Sequence, residues 1–113
     1  MASGKHLELH IKEKCQTASG GSYLVIYDAL VTLLSSTRSV EVEIIRTEPR
    51  DCAPRLIMDA RGAIRLGVTR SLATSELGAK ILVQRIVLHD ADFSPQKCAE
   101  LTTIELNRIL GIV

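Results

Sequence analysis

The stretch CQTASGGSYLVIYDALVTLLS, Cys15 to Ser35, decides how the rest of the chain is read. It runs from a single cysteine through small residues and a Gly-Gly pair into an apolar segment. The first part is loop by composition, because Thr, Ala, Ser and Gly supply turn conformations without a hydrophobic period. The second part is apolar nearly all round. With Ser19 or Ser22 as its cap, it predicts a helix from about Tyr23 to Ser35, buried between a sheet and something else, such as a second subunit. A small-residue loop feeding a helix start presents backbone N–H groups to an anion, which makes Ser19, Gly20 and Gly21 candidate anion-binding residues. Sharper versions of that site fail on particular residues. A Walker loop needs Gly-Lys-Ser/Thr, and here Gly20-Gly21 runs into Ser22; a dinucleotide fingerprint needs spaced glycines rather than adjacent ones. A cysteine phosphatase loop needs a phosphate-clamping arginine at the position Gly21 occupies.

On the N-terminal side, Leu7, Leu9 and Ile11 alternate with His6, Glu8, His10 and Lys12, the period of a half-buried strand with its odd positions inward. His6, Glu8 and His10 therefore share one face. Imidazole, carboxylate and imidazole form a sensible ligand set for zinc or another divalent metal, with His89 or Asp90 as a fourth ligand if the two strands are neighbours. The same pattern is also the solvent face of an amphipathic strand, and Lys12 continuing that face supports the plainer reading. Cys15 near a helix start would be a thiol of lowered pKa, but His10 lies on the opposite pleat face and is not its base.

On the C-terminal side, VEVEIIRT alternates as a strand over Val40–Thr47, and EPRDCAP is a loop. RLIMDARGAIRLGVTR predicts two short strands, Arg55–Met58 and Ala63–Thr69, joined by a turn at Asp59–Gly62. SLATSELG, Ser71 to Gly78, is a loop or a single helical turn. AKILVQRIVLHD gives the longest strand, Ala79–His89, apolar on both faces near its centre and so central in a sheet. Ser94-Pro95 opens a helix to about Leu110 that ends at Gly111, with Leu106, Ile109, Leu110 and Val113 as its stripe. The predicted architecture is α+β, an antiparallel-dominated sheet of about five strands with two helices, in the order β-α-β-β-β-β-α, as a single domain over residues 1–113.

Composition narrows the functions. The chain has 113 residues, 46% hydrophobic and 24% charged, and a formal net charge of +1, a globular profile with no whole-molecule field to steer a polyanion. Aromatics are limited to Tyr23, Tyr27 and Phe93, which disfavours single-strand recognition by base stacking. Cys15, Cys52 and Cys98 form no CxxC and no zinc-ribbon spacing; scattered, odd thiols fit a reducing, cytoplasmic setting. MASGKHLELHIKEK is no signal peptide, and the longest apolar run, Tyr23–Leu34, is too short to span a bilayer and contains Asp28. No membrane association and no cofactor are expected.

Arginines concentrate between Arg38 and Arg70, without a lysine among them. If Arg61, Arg65 and Arg70 share a sheet face with Arg85, they form a patch for RNA or another polyanion. Glu41, Glu43, Glu48, Asp51 and Asp59 lie in the same window and would pair with them across strands. His89, Asp90 and Asp92 end the long strand as an acid–base pair or as complements to a helix dipole. The leading functional expectation is a non-enzymatic assembly or protein-interaction domain acting as a homo-oligomer, its partner itself or another protein. The apolar first helix and the two-faced strand ask for more burial than one such chain offers. The alternatives are RNA or polyanion binding through a sheet-borne arginine patch, and a small metal-dependent or acid–base enzyme built on HLELH.

Overall fold

A computed structural model describes residues 6–16 and 22–111. The elements are β1 (His6–Gln16), β2 (Ser22–Leu34), β3 (Val40–Ile44), β4 (Thr47–Glu48), α1 (Pro54–Ser71), β5 (Gly78–Val87) and α2 (Pro95–Leu110). The α+β class, the mostly antiparallel five-stranded sheet and the two helices are as expected. Their order is not. The chain runs β-β-β-β-α-β-α, because two segments exchange roles.

Residues 22–34 form a strand, not a helix. β2 pairs antiparallel with β1 in continuous register from Gln16↔Ser22 to His6↔Thr32, and with β5 on its other side. Val25, Tyr27, Ala29, Val31 and Leu33 are buried, while Leu24, Ile26, Asp28, Leu30, Thr32 and Leu34 are half-buried on the opposite face. Apolar residues on both faces hide the period of two, and the β-branched Val25, Ile26, Val31 and Thr32 favour the pleat. The expected first helix, and the subunit pairing inferred from it, lose that footing.

Residues 54–71 form one helix, not two strands and a turn. Ala60, Ala63, Ile64, Gly67, Val68 and Ser71 are buried, the i, i+3, i+4 succession of a helix face. Pro54 opens it with a fixed φ, and its missing N–H costs nothing there. Gly62, expected in the turn, and Gly67, expected in the second strand, both lie within the helix. A Cβ on Gly67 would lie 2.6 Å from the Ala99 carbonyl oxygen and 2.7 Å from Thr102 Cβ, so the glycine is what lets α1 approach α2.

The sheet order is β1-β2-β5-β3, with β4 also on β5; β3 and β4 run parallel to β5. The long apolar strand is therefore central, as expected. α1 packs on α2 and β3, and α2 packs on β1 and β2. The core lies between helices and sheet, with Leu9, Tyr27, Ile64, Ile81, Ile86 and Leu106 among its fully buried side chains. Each large aliphatic removed from water there contributes about 1.5–3 kcal/mol. The Tyr27 hydroxyl, buried with them, hydrogen-bonds Thr102 Oγ1 of α2 at 2.7 Å and ties helix to sheet. α2 begins and ends as predicted: the Ser94 side chain accepts from Lys97 N–H, Pro95 follows, and Gly111 takes the left-handed conformation at the C-cap. Among the described residues, the second face of the sheet carries no helix.

Candidate nucleic-acid interface

Helix α1 buries one face and leaves the other to solvent. The exposed side contains Arg55, Met58, Asp59, Arg61, Gly62, Arg65, Leu66, Thr69 and Arg70. Arg50 stands just before the helix, also exposed. Among the described residues, none of Arg50, Arg55, Arg61, Arg65 and Arg70 makes an ion pair. The other arginines all do: Arg38 with Glu76, Arg46 with Glu48, Arg85 with Glu48 and Asp28, Arg108 with Glu105. Five arginines face Asp51 and Asp59 alone over residues 50–70. The start of α1 adds the same sign, since its first turn has no acidic residue and Ala53 offers no side-chain cap. Helix α2 is the internal contrast: Lys97 pairs with Glu100 and Arg108 with Glu105 along its own surface.

The predicted patch is thus rearranged. Arg61, Arg65 and Arg70 lie on a helix rather than on the sheet, Arg61 and Arg65 one turn apart on one flank of its exposed side and Arg70 toward the other, and among the described residues the expected cross-strand partners do not reach them. Arg85 is separate. A bulge between Asp28 and Ala29 on β2, where the register passes from Arg85 to Val83, shifts the alternation of β5. Ile81, Val83 and Ile86 consequently point to the core, and Arg85 lies on the open face. Its guanidinium meets Glu48 at 3.0 Å and Asp28 at 3.7 Å, and holds the Glu48 carboxyl below the usual range. A neutralised arginine offers little to an incoming phosphate.

His10 extends that network. Its Nδ1–H donates to Asp28 at 2.7 Å and its Nε2–H to Glu8 at 3.0 Å. Both nitrogens can donate only in the imidazolium form, so the Asp28 bond foremost, then that to Glu8, raises the His10 pKa. His6, Glu8 and His10 do share a face, but His6 hydrogen-bonds Thr32 and His10 is engaged at both nitrogens. No trio of His, Cys, Asp or Glu among the described residues is placed to hold a metal ion. His89 and Asp90 cannot complete that set: β2 separates β1 from β5, and they follow the end of β5 that pairs with Ile26, far from the Thr32 row of His6.

His89 and Asp90 instead line a depression of about 410 Å³ with Asp51, Cys52 and Leu56 at the start of α1. The Cys52 thiol donates to the Pro49 carbonyl at 3.0 Å. Cys15 lies by Tyr23 and Lys97 at the start of α2, on the face opposite His10. Ser19, Gly20 and Gly21 lie outside the described residues; their segment links two antiparallel strands rather than a strand and a helix. No helix among the described residues is long and apolar enough to cross a membrane.

Sequence reasoning counted Arg50 and Arg55 in the arginine concentration without placing them in the patch, read Gly62 as a turn residue, and did not single out Met58 or Leu66 as exposed. The signal was present in the spacing of Ala60, Ala63, Ile64 and Val68, which puts Arg61 and Arg65 on the opposite helix face.

No protein-family model and no curated protein matches the chain. Among solved structures it is similar to the crystal structure of ttk003000868 from Thermus thermophilus, with a TM-score of 0.64 and 17% sequence identity over 92% of this chain. The chain spans 15% of that protein's length. At that identity the likeness is one of fold alone: a β-sheet layered with two helices recurs there as part of a longer protein.

Proposed function

We propose that this domain binds the phosphodiester backbone of RNA, or another polyanion, through the outer face of α1. The observation that carries the reading is that, among the described residues, Arg50, Arg55, Arg61, Arg65 and Arg70 make no ion pair while the other arginines each do. Guanidinium groups in a planar fork suit phosphate oxygens, and counterion release from the nucleic acid drives such binding. The net charge of +1 does not oppose this, since the helix is locally basic while the sheet face is balanced.

Fluorescence anisotropy with a labelled 20-base-pair RNA duplex, titrated from 50 to 200 mM KCl, tests it. Wild-type affinity should fall steeply with salt, and the pair Arg61→Ala/Arg65→Ala should lower the slope of log K against log salt by about 2. Arg46→Ala, which removes a paired arginine, should leave the slope unchanged. Binding that is absent, or indifferent to salt, removes the reading.

A second reading, homo-oligomer assembly, is favoured by a different observation. The uncovered sheet face has Leu30 and Leu82 as cross-strand neighbours in a depression of about 540 Å³ also lined by Thr32, Lys80, Glu41 and Glu43. Apolar side chains in a concave, uncovered surface favour a protein partner, and a second copy is the simplest one. Light scattering on wild type and Leu82→Glu tests it: a wild-type dimer that the variant converts to monomer supports it. A monodisperse wild-type monomer removes it.

A further inference from the structure

Three of the four described glycines have a reason in the fold. Gly67 admits Ala99 and Thr102 of α2; Gly78 lies where a Cβ would clash with the Ser39 and Thr37 carbonyl oxygens; Gly111 has φ +75° at a C-cap. Gly62 has none. It sits near the middle of the eighteen-residue helix α1, on the exposed face, in ordinary helical conformation, with nothing within 4 Å of where its Cβ would be. Folding alone disfavours a glycine there, because it loses more backbone freedom than alanine and returns no contact.

Its surroundings are as unusual. Met58 and Leu66, one turn to either side, are 66% and 45% exposed, among the few large hydrophobic residues the described chain leaves in water. Arg61 and Arg65 flank the same spot and have no ion-pair partner among the described residues. The result is a notch in the helix surface, bare backbone at its floor, apolar walls along the axis and guanidinium groups at the side.

We infer that Gly62 is the close-approach point for the bound partner, where the sugar-phosphate backbone of a double-stranded nucleic acid crosses α1. This rests on the polyanion reading and narrows it. Arg61 and Arg65, one turn apart on the same flank of Gly62, then reach successive phosphates of the crossing strand, while Met58 and Leu66 pack on sugar. A duplex is favoured over a single strand because the described aromatics offer no stacking platform: Tyr27 and Phe93 are buried, and the ring of Tyr23 is covered by the Lys97 ammonium at 5.0 Å. A second copy of this helix is a poor occupant, since packing it on itself would bring like-charged arginines together.

The test measures Gly62→Ala and Gly62→Leu against labelled 20-base-pair RNA duplex, the single strand of the same sequence, and polyglutamate as competitor. Both variants should fold, as the site is open, and Gly62→Ala should melt about 4 °C higher than wild type. Duplex affinity should nevertheless fall about tenfold for alanine and further for leucine, from crowding at the contact. The salt slope should stay at its wild-type value, because no charge is lost. Wild-type binding of duplex with unchanged affinity in both variants overturns the role of Gly62 and leaves the arginine reading standing. Tighter binding of the single strand than of the duplex overturns the choice of duplex. Absence of duplex binding by wild type overturns both inferences, and polyglutamate binding in its place assigns the notch to an acidic protein.

Discussion

Replacing Gly67 by alanine adds one methyl group where α1 crosses α2. The new Cβ would stand 2.6 Å from the Ala99 carbonyl oxygen, 2.7 Å from Thr102 Cβ and 2.9 Å from Thr102 Cγ2. Comfortable separations are about 3.5–4.0 Å, so the helices must part by about 1 Å. That displacement acts on two hydrogen bonds: Thr103 Oγ1–H to the Gly67 carbonyl at 3.1 Å, and the Tyr27–Thr102 pair at 2.7 Å. Overpacking costs about 1–3 kcal/mol. Each weakened hydrogen bond costs up to about 1 kcal/mol. Alanine's helix propensity returns about 1 kcal/mol. The net expectation is destabilisation by about 2–3 kcal/mol, a large share of the ~5–15 kcal/mol by which such a domain is stable. With about 4 °C per kcal/mol at this size, the melting temperature falls by about 8–12 °C. Urea unfolding followed by far-ultraviolet circular dichroism should give a lower midpoint with an unchanged m-value. The same substitution at Gly62, five positions away on the opposite face, should instead stabilise by up to about 1 kcal/mol. Opposite signs on one helix separate packing from propensity. A Gly67→Ala protein as stable as wild type would refute the close helix crossing.

The buried Tyr27–Thr102 hydrogen bond should show coupling in a double-mutant cycle: Tyr27→Phe alone costs about 1–3 kcal/mol by stranding the threonine hydroxyl, and Tyr27→Phe with Thr102→Val costs less than the sum of the singles. Additive costs from urea melts would argue against the bond. His10 has its pKa raised by Asp28 and Glu8, so its contribution is complete below about pH 6.5 and is lost as pH rises through the folded-state value. The ring is largely exposed and screened, which limits the effect to below about 1 kcal/mol. Melting temperatures of wild type and His10→Gln should therefore differ at pH 6 and converge toward pH 9; a constant difference would count against the imidazolium. Burial pushes the Cys98 thiol up to about 12, so it should resist iodoacetamide in the native protein and react on unfolding, while half-exposed Cys15 and Cys52 react first. Mass spectrometry of partially alkylated protein decides this, and early labelling of Cys98 would overturn its assigned place in the core.

Amphipathic elements announced themselves in the chain. Residues 6–16 and 40–44 alternate because one face meets the core and the other meets water, and the Ser94-Pro95 start and Gly111 stop of α2 are local chemistry that needs no distant partner. The candidate site was only partly legible. The arginine concentration could be counted, but placing it required the right element beneath it.

Residue order alone established the α+β class, the central strand, the C-terminal helix and the scarcity of stacking aromatics. Packing between distant segments settled the rest. Residues 22–34 are apolar on both faces, so local pattern does not separate helix from strand; pairing with β1 on one side and β5 on the other makes them a strand. In one dimension Gly62 reads as a turn residue and Gly67 as part of a strand. Only contact with Ala99 and Thr102 makes Gly67 a helix-crossing residue, and only the absence of any neighbour singles out Gly62. With α1 formed, Arg61, Arg65 and Arg70 turn to solvent without ion-pair partners among the described residues, while a bulge opposite Asp28 carries Arg85 to the sheet face and into its ion pairs. Charge is written in the residue types, but whether a charge is free or neutralised depends on residues distant in sequence, which only the folded chain brings within a few ångströms.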